Sequence, residues 1–494
     1  MSKYNRPGFW LVGGLLLLGG FLRLYRLPQT AIFQGDQGRD AIIVQRLIKD
    51  FHPPLIGPVT SVGNMYLGPL YYYFMAPWLW LTYPSPLGPV YGVAILSVFG
   101  LYLTYRFGKE MFSNRVALLA LFFTAIMPSA VVASRFSWNP NLQPVVSLVL
   151  LWALFRALKR GQPAYLVLAT TAFAILIQLH YMALVTGGLI VFTAIYGFTL
   201  HKKSRKQWLV YLLLSLGVLG LSWLPLFIFD LTHNHLIWQG FVKFLLSPDQ
   251  HLAPLGRLLI VIRETEGRAV KVLIQLLGIM NWPLGRWLSV MGMGLFIWSA
   301  YLKRAVLKDD YARLLIMAGL IITIAATAFY TGSVFDHYLL FAVPITAFFW
   351  SLNLDFIWSF GPAAKAGVGI LLAVFGIYTF IHEPTFDKPG PTMAFYQRVA
   401  QTIAPHIRSG PYNLVVFSEN KDLKGMTYRY FLQTTSHPPE SIDTYTNLNQ
   451  LVVIDELAIR DPLSAKIFEI QTPHLTHLDN SFSIPSGPTV YIYN

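Results

Sequence analysis

The chain has 494 residues, 55% hydrophobic and 12% charged, with a formal net charge of +14 and a mean hydropathy of +0.51. Soluble globular proteins carry about 25% charged residues, so this composition excludes an ordinary soluble enzyme and points to a membrane. The basic residues sit in short segments between apolar runs, which argues against nucleic acid as a partner, and the absence of cysteine excludes disulfides and thiolate metal sites.

Crossing the hydrocarbon takes about 20 mostly apolar residues. Taken in chain order, runs that meet this need occur at 8–25, 88–105, 116–134, 142–158, 164–180, 181–200, 208–229, 284–302, 314–330, 338–354 and 367–381. They predict a polytopic α-helical membrane protein with about 11 transmembrane helices. Two further apolar stretches, 66–81 and 270–280, are short and broken by Pro and Gly, and read as interfacial or re-entrant segments.

The basic clusters are Lys3 and Arg6; Arg106, Lys109 and Arg115; Arg156, Lys159 and Arg160; HKKSRK at 201–206; and Lys303, Arg304, Lys308 and Arg313. They recur at every second boundary. The positive-inside rule then places them, and the amino terminus, in the cytoplasm, with the first span an uncleaved anchor. The opposite face receives the first loop (26–87), the SRFSWNPN turn, the 180/181 turn, a long loop at 230–283, the TGSVFDHY turn and the tail. From 382 to 494 charge returns and the runs shorten. YNLVVFSE (412–419), QLVVID (450–455) and TVYIYN (489–494) read as strands, and 393–407 and 424–435 as helices, predicting a small extracytoplasmic α/β domain behind a membrane module of residues 1–381.

The densest polar cluster, AIFQGDQGRDAIIVQ at 31–45, follows the first span. Ionisable groups at membrane depth face protein or a water-filled cavity, which makes Asp36, Gln37, Arg39 and Asp40 candidates; Asp40 reads equally well as a first-turn helix charge. Tyr66 and Tyr71 are candidate cavity-lining rings, whereas Trp78 and Trp80 fit an aromatic belt. Arg135, Trp138, Asn139 and Asn141 combine a cation, a ring and two amides suited to sugar hydroxyls, although Asn-Pro is also good turn chemistry. Gln178, His180 and Tyr181 mark one further outer helix end, and Asp336, His337 and Tyr338 another. Arg263, Arg268 and Lys271 are cations for a lipid-linked phosphate, or surface charges paired with Glu264 and Glu266. Polar groups thus gather at outer helix ends and Lys/Arg at the others, as for one cavity opening outward.

An aspartate early in a long first outer loop, GPLYYY at 68–73, short-loop spans, a soluble tail and HYLLFAVP at 337–344 together resemble the GT-C glycosyltransferases. The nearest likeness is to the family-39 group, the protein O-mannosyltransferases and the aminoarabinose transferases that modify lipid A. Its motifs cover about 8–144; beyond that, the hydropathy layout and HYLLFAVP match. The resemblance implies transfer of a sugar from a polyprenyl-phosphate donor to a hydroxyl of a lipid, protein or cell-wall acceptor, with Asp36 as general base and Arg39 as a substrate contact. It further implies a bacterial cytoplasmic membrane, with the active site on the outer face. The chain departs from the family pattern at Asp36-Gln37, where relatives have Asp-Glu. It departs again at Tyr66-Leu67, where they have His or Glu-Lys, and at Asn139 and Asn141, where an Asp follows the Arg. In an inverting transfer one carboxylate takes the acceptor proton, and the phosphate needs no acid to leave. No cofactor is therefore required, and a divalent ion would find only Asp336 and His337 as a candidate ligand pair. A transporter or flippase of a lipid-linked saccharide is the alternative, disfavoured by the scarcity of mid-span charge. A third reading is a membrane protein whose tail binds cell-wall glycans.

Overall fold

The computed structural model describes residues 6–60, 65–246, 254–302, 310–330, 332–386, 391–459 and 461–494. Lys3, Lys303, Arg304 and Lys308, counted among the basic clusters, lie outside the described residues. The chain forms two compact units: Met1–Tyr25, Pro54–Phe74 and Tyr91–Asp387, and Arg26–Pro53, Met75–Val90 and Lys388–Asn494. The first-loop segments 26–53 and 75–90 thus belong to the same unit as the carboxyl-terminal tail.

The first unit is helical. Each of the eleven apolar runs falls on helix. Among the described residues, seven helical stretches are long and apolar enough to cross a membrane: Leu87–Met111, Asn139–Arg160, Tyr181–Leu200, Lys202–Thr232, Tyr311–Ala328, Asp336–Trp358 and Pro362–Ile381. Gly8–Leu24, Asn114–Ile126 and Ala164–Leu179 are shorter apolar helices, and Trp282–Leu302 covers the run at 284–302. Local chemistry sets the ends. Ser113 Oγ accepts from Val116 N at 3.2 Å to start Asn114–Ile126, and Pro128 opens a second helix, Pro128–Ala133, so the run at 116–134 is broken. Gly161 stops Gln143–Arg160 with φ +58°, the left-handed cap that glycine adopts without strain.

The stretch at 270–280 is the buried end of helix Pro254–Leu273 and the 3-10 turn Gln275–Leu277, lying inside what sequence reads as a loop at 230–283. Its carbonyls would be orphaned in an apolar interior. Side chains from elsewhere take them. Thr346 Oγ1 donates to Val272 O (2.7 Å), Trp350 Nε1 to Leu273 O (2.8 Å), and Ser129 Oγ to Leu276 O (2.6 Å). The donors Thr346 and Trp350 belong to Val343–Trp358, in the most buried of the candidate spans.

The second unit holds a four-stranded sheet: β1 (Tyr412–Phe417), β2 (Gln450–Asp455), β3 (Leu478–Ser483) and β4 (Thr489–Tyr493), in the order β1-β2-β4-β3. β1 and β2 are parallel and buried along their length; β4 runs antiparallel to both its neighbours. Sequence reading anticipated β1, β2 and β4 but not β3. That edge strand, LDNSFS, is polar and part-exposed, and lacks the apolar run that marks a buried strand. Helix Met426–Gln433 connects β1 to β2, and helix Gly35–Asp50 packs on it. Their backbones touch: a Cβ on Gly38 would lie 2.3 Å from the Met426 carbonyl oxygen.

Candidate functional site

In the second unit the first turn of Gly35–Asp50 carries the acid-rich motif. Gln34 begins the helix with a reciprocal cap, its backbone N–H bonded to Gln37 Oε1 at 2.8 Å, so Gln37 is buried and its carbonyl oxygen is engaged. Asp36 points out, its side chain 48% exposed, and its Oδ1 accepts from Arg39 Nη1 at 2.8 Å. Arg39 turns its other edge to Asp40, donating from Nε (2.9 Å) and Nη2 (2.8 Å) to Oδ1 of that residue, whose side chain is 1% exposed. A buried carboxylate therefore fixes the guanidinium, and the guanidinium fixes one oxygen of the exposed carboxylate. Charge-assisted bonds of this kind hold geometry closely. Asp36 Oδ2 makes no hydrogen bond among the described residues and is the oxygen able to receive a proton.

In the first unit three 3-10 turns, Asn139–Leu142, Tyr181–Thr186 and Asp336–Ala342, each lead into a helix, and the third packs on the other two. They bring together rings that sequence placed at separate helix ends. Trp138 and His337 have centroids 4.5 Å apart, His180 and Tyr338 4.4 Å, and His180 and His337 6.0 Å. His180 Nδ1 accepts from Met182 N at 3.1 Å, which puts the proton of a neutral ring on Nε2. Tyr181 donates to Tyr66 O, and Tyr66 packs on Phe229. Tyr71 is buried and shares a 2.7 Å hydrogen bond with Ser137 Oγ.

Other candidates take on architectural contacts. Arg135 donates to Leu22 O (2.6 Å) and Tyr25 O (2.8 Å), closing the end of the first helix. Asn139 donates to Leu179 O, and Asn141 Nδ2 to Phe136 O at 2.9 Å. Gln178 Nε2 donates to Ser222 O at 3.3 Å. Arg268 pairs with Glu264 at 3.1 Å and donates to Tyr330 O; Lys271 donates to Val334 O; Glu266 pairs with Arg286. Arg263 is exposed on the same helix. Asp336 is exposed beside the half-buried His337, and among the described residues no three His, Cys, Asp or Glu side chains gather as metal ligands.

Sequence reading passed over two residues here. Gln143 Oε1 accepts from Phe341 N at 3.1 Å and ties the first 3-10 turn to the third. Glu383 is buried, its Oε1 bonded to Thr385, and burial pushes its carboxyl up against the pull of Thr385, Arg135 and Arg23. A lone glutamate just past the last span was the only signal for it.

Comparison with known proteins defines the class. The fold is similar to ArnT from Cupriavidus metallidurans, with a TM-score of 0.62 for the apo state (12% identity, 98% of this chain and 97% of that chain). For ArnT bound to undecaprenyl phosphate the TM-score is 0.61 (12% identity, 99% and 98%). It is also similar to the oligosaccharyltransferase of Archaeoglobus fulgidus in the apo form, with a TM-score of 0.52 (13% identity, 86% of this chain and 63% of that chain). The chain therefore shares the fold of these proteins. Residues 67–238 match the family model described as dolichyl-phosphate-mannose-protein mannosyltransferase, and match and fold together support a membrane glycosyltransferase. No match was found among curated protein sequences.

Proposed function

We propose that the protein moves a sugar from a polyprenyl-phosphate donor to an acceptor hydroxyl on the extracytoplasmic face, with inversion, and that Asp36 is the general base. The observation that carries this reading is the exposed Asp36 carboxylate, with one oxygen held by an arginine that a buried aspartate anchors. As the acceptor oxygen attacks the anomeric carbon, its proton passes to Asp36 Oδ2. The bond from that carbon to the phosphate oxygen breaks, and its electron pair leaves with the lipid phosphate. A positioned base contributes about 10²–10⁴-fold to such a step. The donor class is supported by likeness to a structure bound to undecaprenyl phosphate. Trp138, His180, His337 and Tyr338, with Tyr66 and Tyr181, are proposed to bind substrate, since rings that also carry donors suit sugars and phosphates.

The test is to incubate purified protein with a panel of polyprenyl-phosphate sugars and acceptors and to follow release of lipid phosphate. Turnover by the wild type, with loss in Asp36→Asn at unchanged stability, is expected. Full turnover by Asp36→Asn would remove Asp36 as the base.

A further inference from the structure

The helix Arg205–Thr232 ends in a sharp turn. Asn234 and His235 have φ values of 54° and 55°, and helix Leu236–Leu245 follows at once. Asp230, in the last turn of the span, sets the angle between the two helices. Its Oδ1 accepts from Ile237 N (2.7 Å) and Trp238 N (3.2 Å), and its Oδ2 lies 3.5 Å from His235 Nδ1. A carboxylate in that place satisfies two otherwise orphaned donors and suits the positive end of the short helix.

At helical spacing Ile237, Trp238, Phe241, Val242 and Phe244 share one face, and Gln239 and Lys243 share the other. Trp238 is 61% and Phe241 39% exposed, their rings 6.2 Å apart, and Leu246 just beyond is exposed as well. Large apolar side chains as exposed as Trp238, Phe241 and Leu246, set close together, mark a surface that meets something other than water. The occupant follows from continuity with the membrane. A helix that starts four residues after a candidate span ends, turned by contacts from within that span, stands beside the end of that span, where a bilayer crossed by the span has its surface.

We propose that Leu236–Leu245 is a membrane-interface helix, with its Trp238–Phe241 face sunk into the boundary between headgroups and acyl chains and Gln239 and Lys243 toward water. Its partner is the phospholipid bilayer. Amphipathic helices of this kind sink their apolar face about 5–10 Å into that boundary.

The chain has no cysteine, so single probes are clean. Trp238→Cys, Gln239→Cys, Phe241→Cys and Lys243→Cys are spin-labelled in full-length protein, in nanodiscs of phosphatidylethanolamine and phosphatidylglycerol. Labels at 238 and 241 are expected to relax with oxygen, at depths of about 5–10 Å below the phosphates, and labels at 239 and 243 with an aqueous nickel chelate. Equal exposure to the chelate at all four positions, or the inverse pattern, overturns the proposal. Because Trp238→Cys removes an anchor, unmodified protein is also irradiated in nanodiscs carrying a phospholipid with a diazirine in its acyl chain. Label on the 236–246 peptide is expected; label on 205–232 with none on 236–246 overturns it.

Discussion

Gly38→Ala probes the contact that positions Asp36. The added Cβ would stand 2.3 Å from the Met426 carbonyl oxygen, 2.5 Å from its carbon and 2.9 Å from Thr427 N. These are backbone atoms of helix Met426–Gln433, so no side chain can swing aside. The helices must separate by about 1 Å to restore ordinary contact. Overpacking of this kind costs about 1–3 kcal/mol, and the better helix propensity of alanine returns about 0.5–1 kcal/mol, leaving a net loss of up to about 2.5 kcal/mol. A shift of about 1 Å in a reacting group also lowers turnover by about 10²-fold. Thermal unfolding of the purified protein and hydrogen exchange of residues 35–50 measure the first effect; lipid-phosphate release measures the second. Gly20→Ala, inside helix Arg6–Leu24 where a Cβ meets nothing within 4 Å, is the control and is expected to keep full turnover with stability unchanged or raised by about 0.5–1 kcal/mol. A Gly38→Ala protein as stable and as active as the wild type would refute the argument.

Other outcomes follow from the same geometry. Asp36→Asn should lower turnover by about 10²–10⁴-fold with an unchanged melting temperature, because its carboxylate is exposed; a matching fall in stability would recast it as structural. Arg135→Ala frees the carbonyls of Leu22 and Tyr25 and should cost about 1–3 kcal/mol, read as a lower melting temperature; an undiminished melting temperature with lost activity would instead assign Arg135 to substrate. Burial holds the Asp422 carboxyl above its ordinary 3.8, so above that pH the folded unit binds more protons than the unfolded chain and its stability falls as pH rises. Asp422→Asn should flatten that slope in unfolding measured from about pH 4 to pH 7; an unaltered slope would refute the assignment. A cysteine probe in 31–50 should react with an impermeant reagent from outside intact cells and one at 201–206 should not, and the reverse would overturn the topology.

The membrane helices were legible because an apolar run long enough to cross is a local property, and Pro, Gly and Ser mark its ends. The candidate residues were legible only one turn at a time. Nothing in SRFSWNPN, QLHY or FDHY says that their rings meet, since that depends on which helices become neighbours. Arg135 shows the limit most clearly. An arginine beside a tryptophan and two asparagines suits sugar binding, yet this side chain serves the end of a helix more than 100 positions away in the chain. Arg268 likewise finds Glu264 four residues back on its own helix, the partner that sequence held open, although the arginine itself is buried and also reaches Tyr330 O. β3 was missed because an edge strand needs apolar side chains on only one face, and LDNSFS supplies few.

Composition and patterning by themselves settled that this chain lives in a membrane, where its helices fall, and that a small α/β unit follows, because the energies involved scale with local apolar content. Tertiary structure alone decided that residues 26–53 pack with the tail, that the Met426 carbonyl leaves no room for a Cβ at Gly38, and that Arg39 is held between Asp36 and Asp40. The first of these is a meeting of segments remote in sequence. The other two depend on the facing of a helix and the reach of its side chains, and residue order constrains neither until the chain has folded.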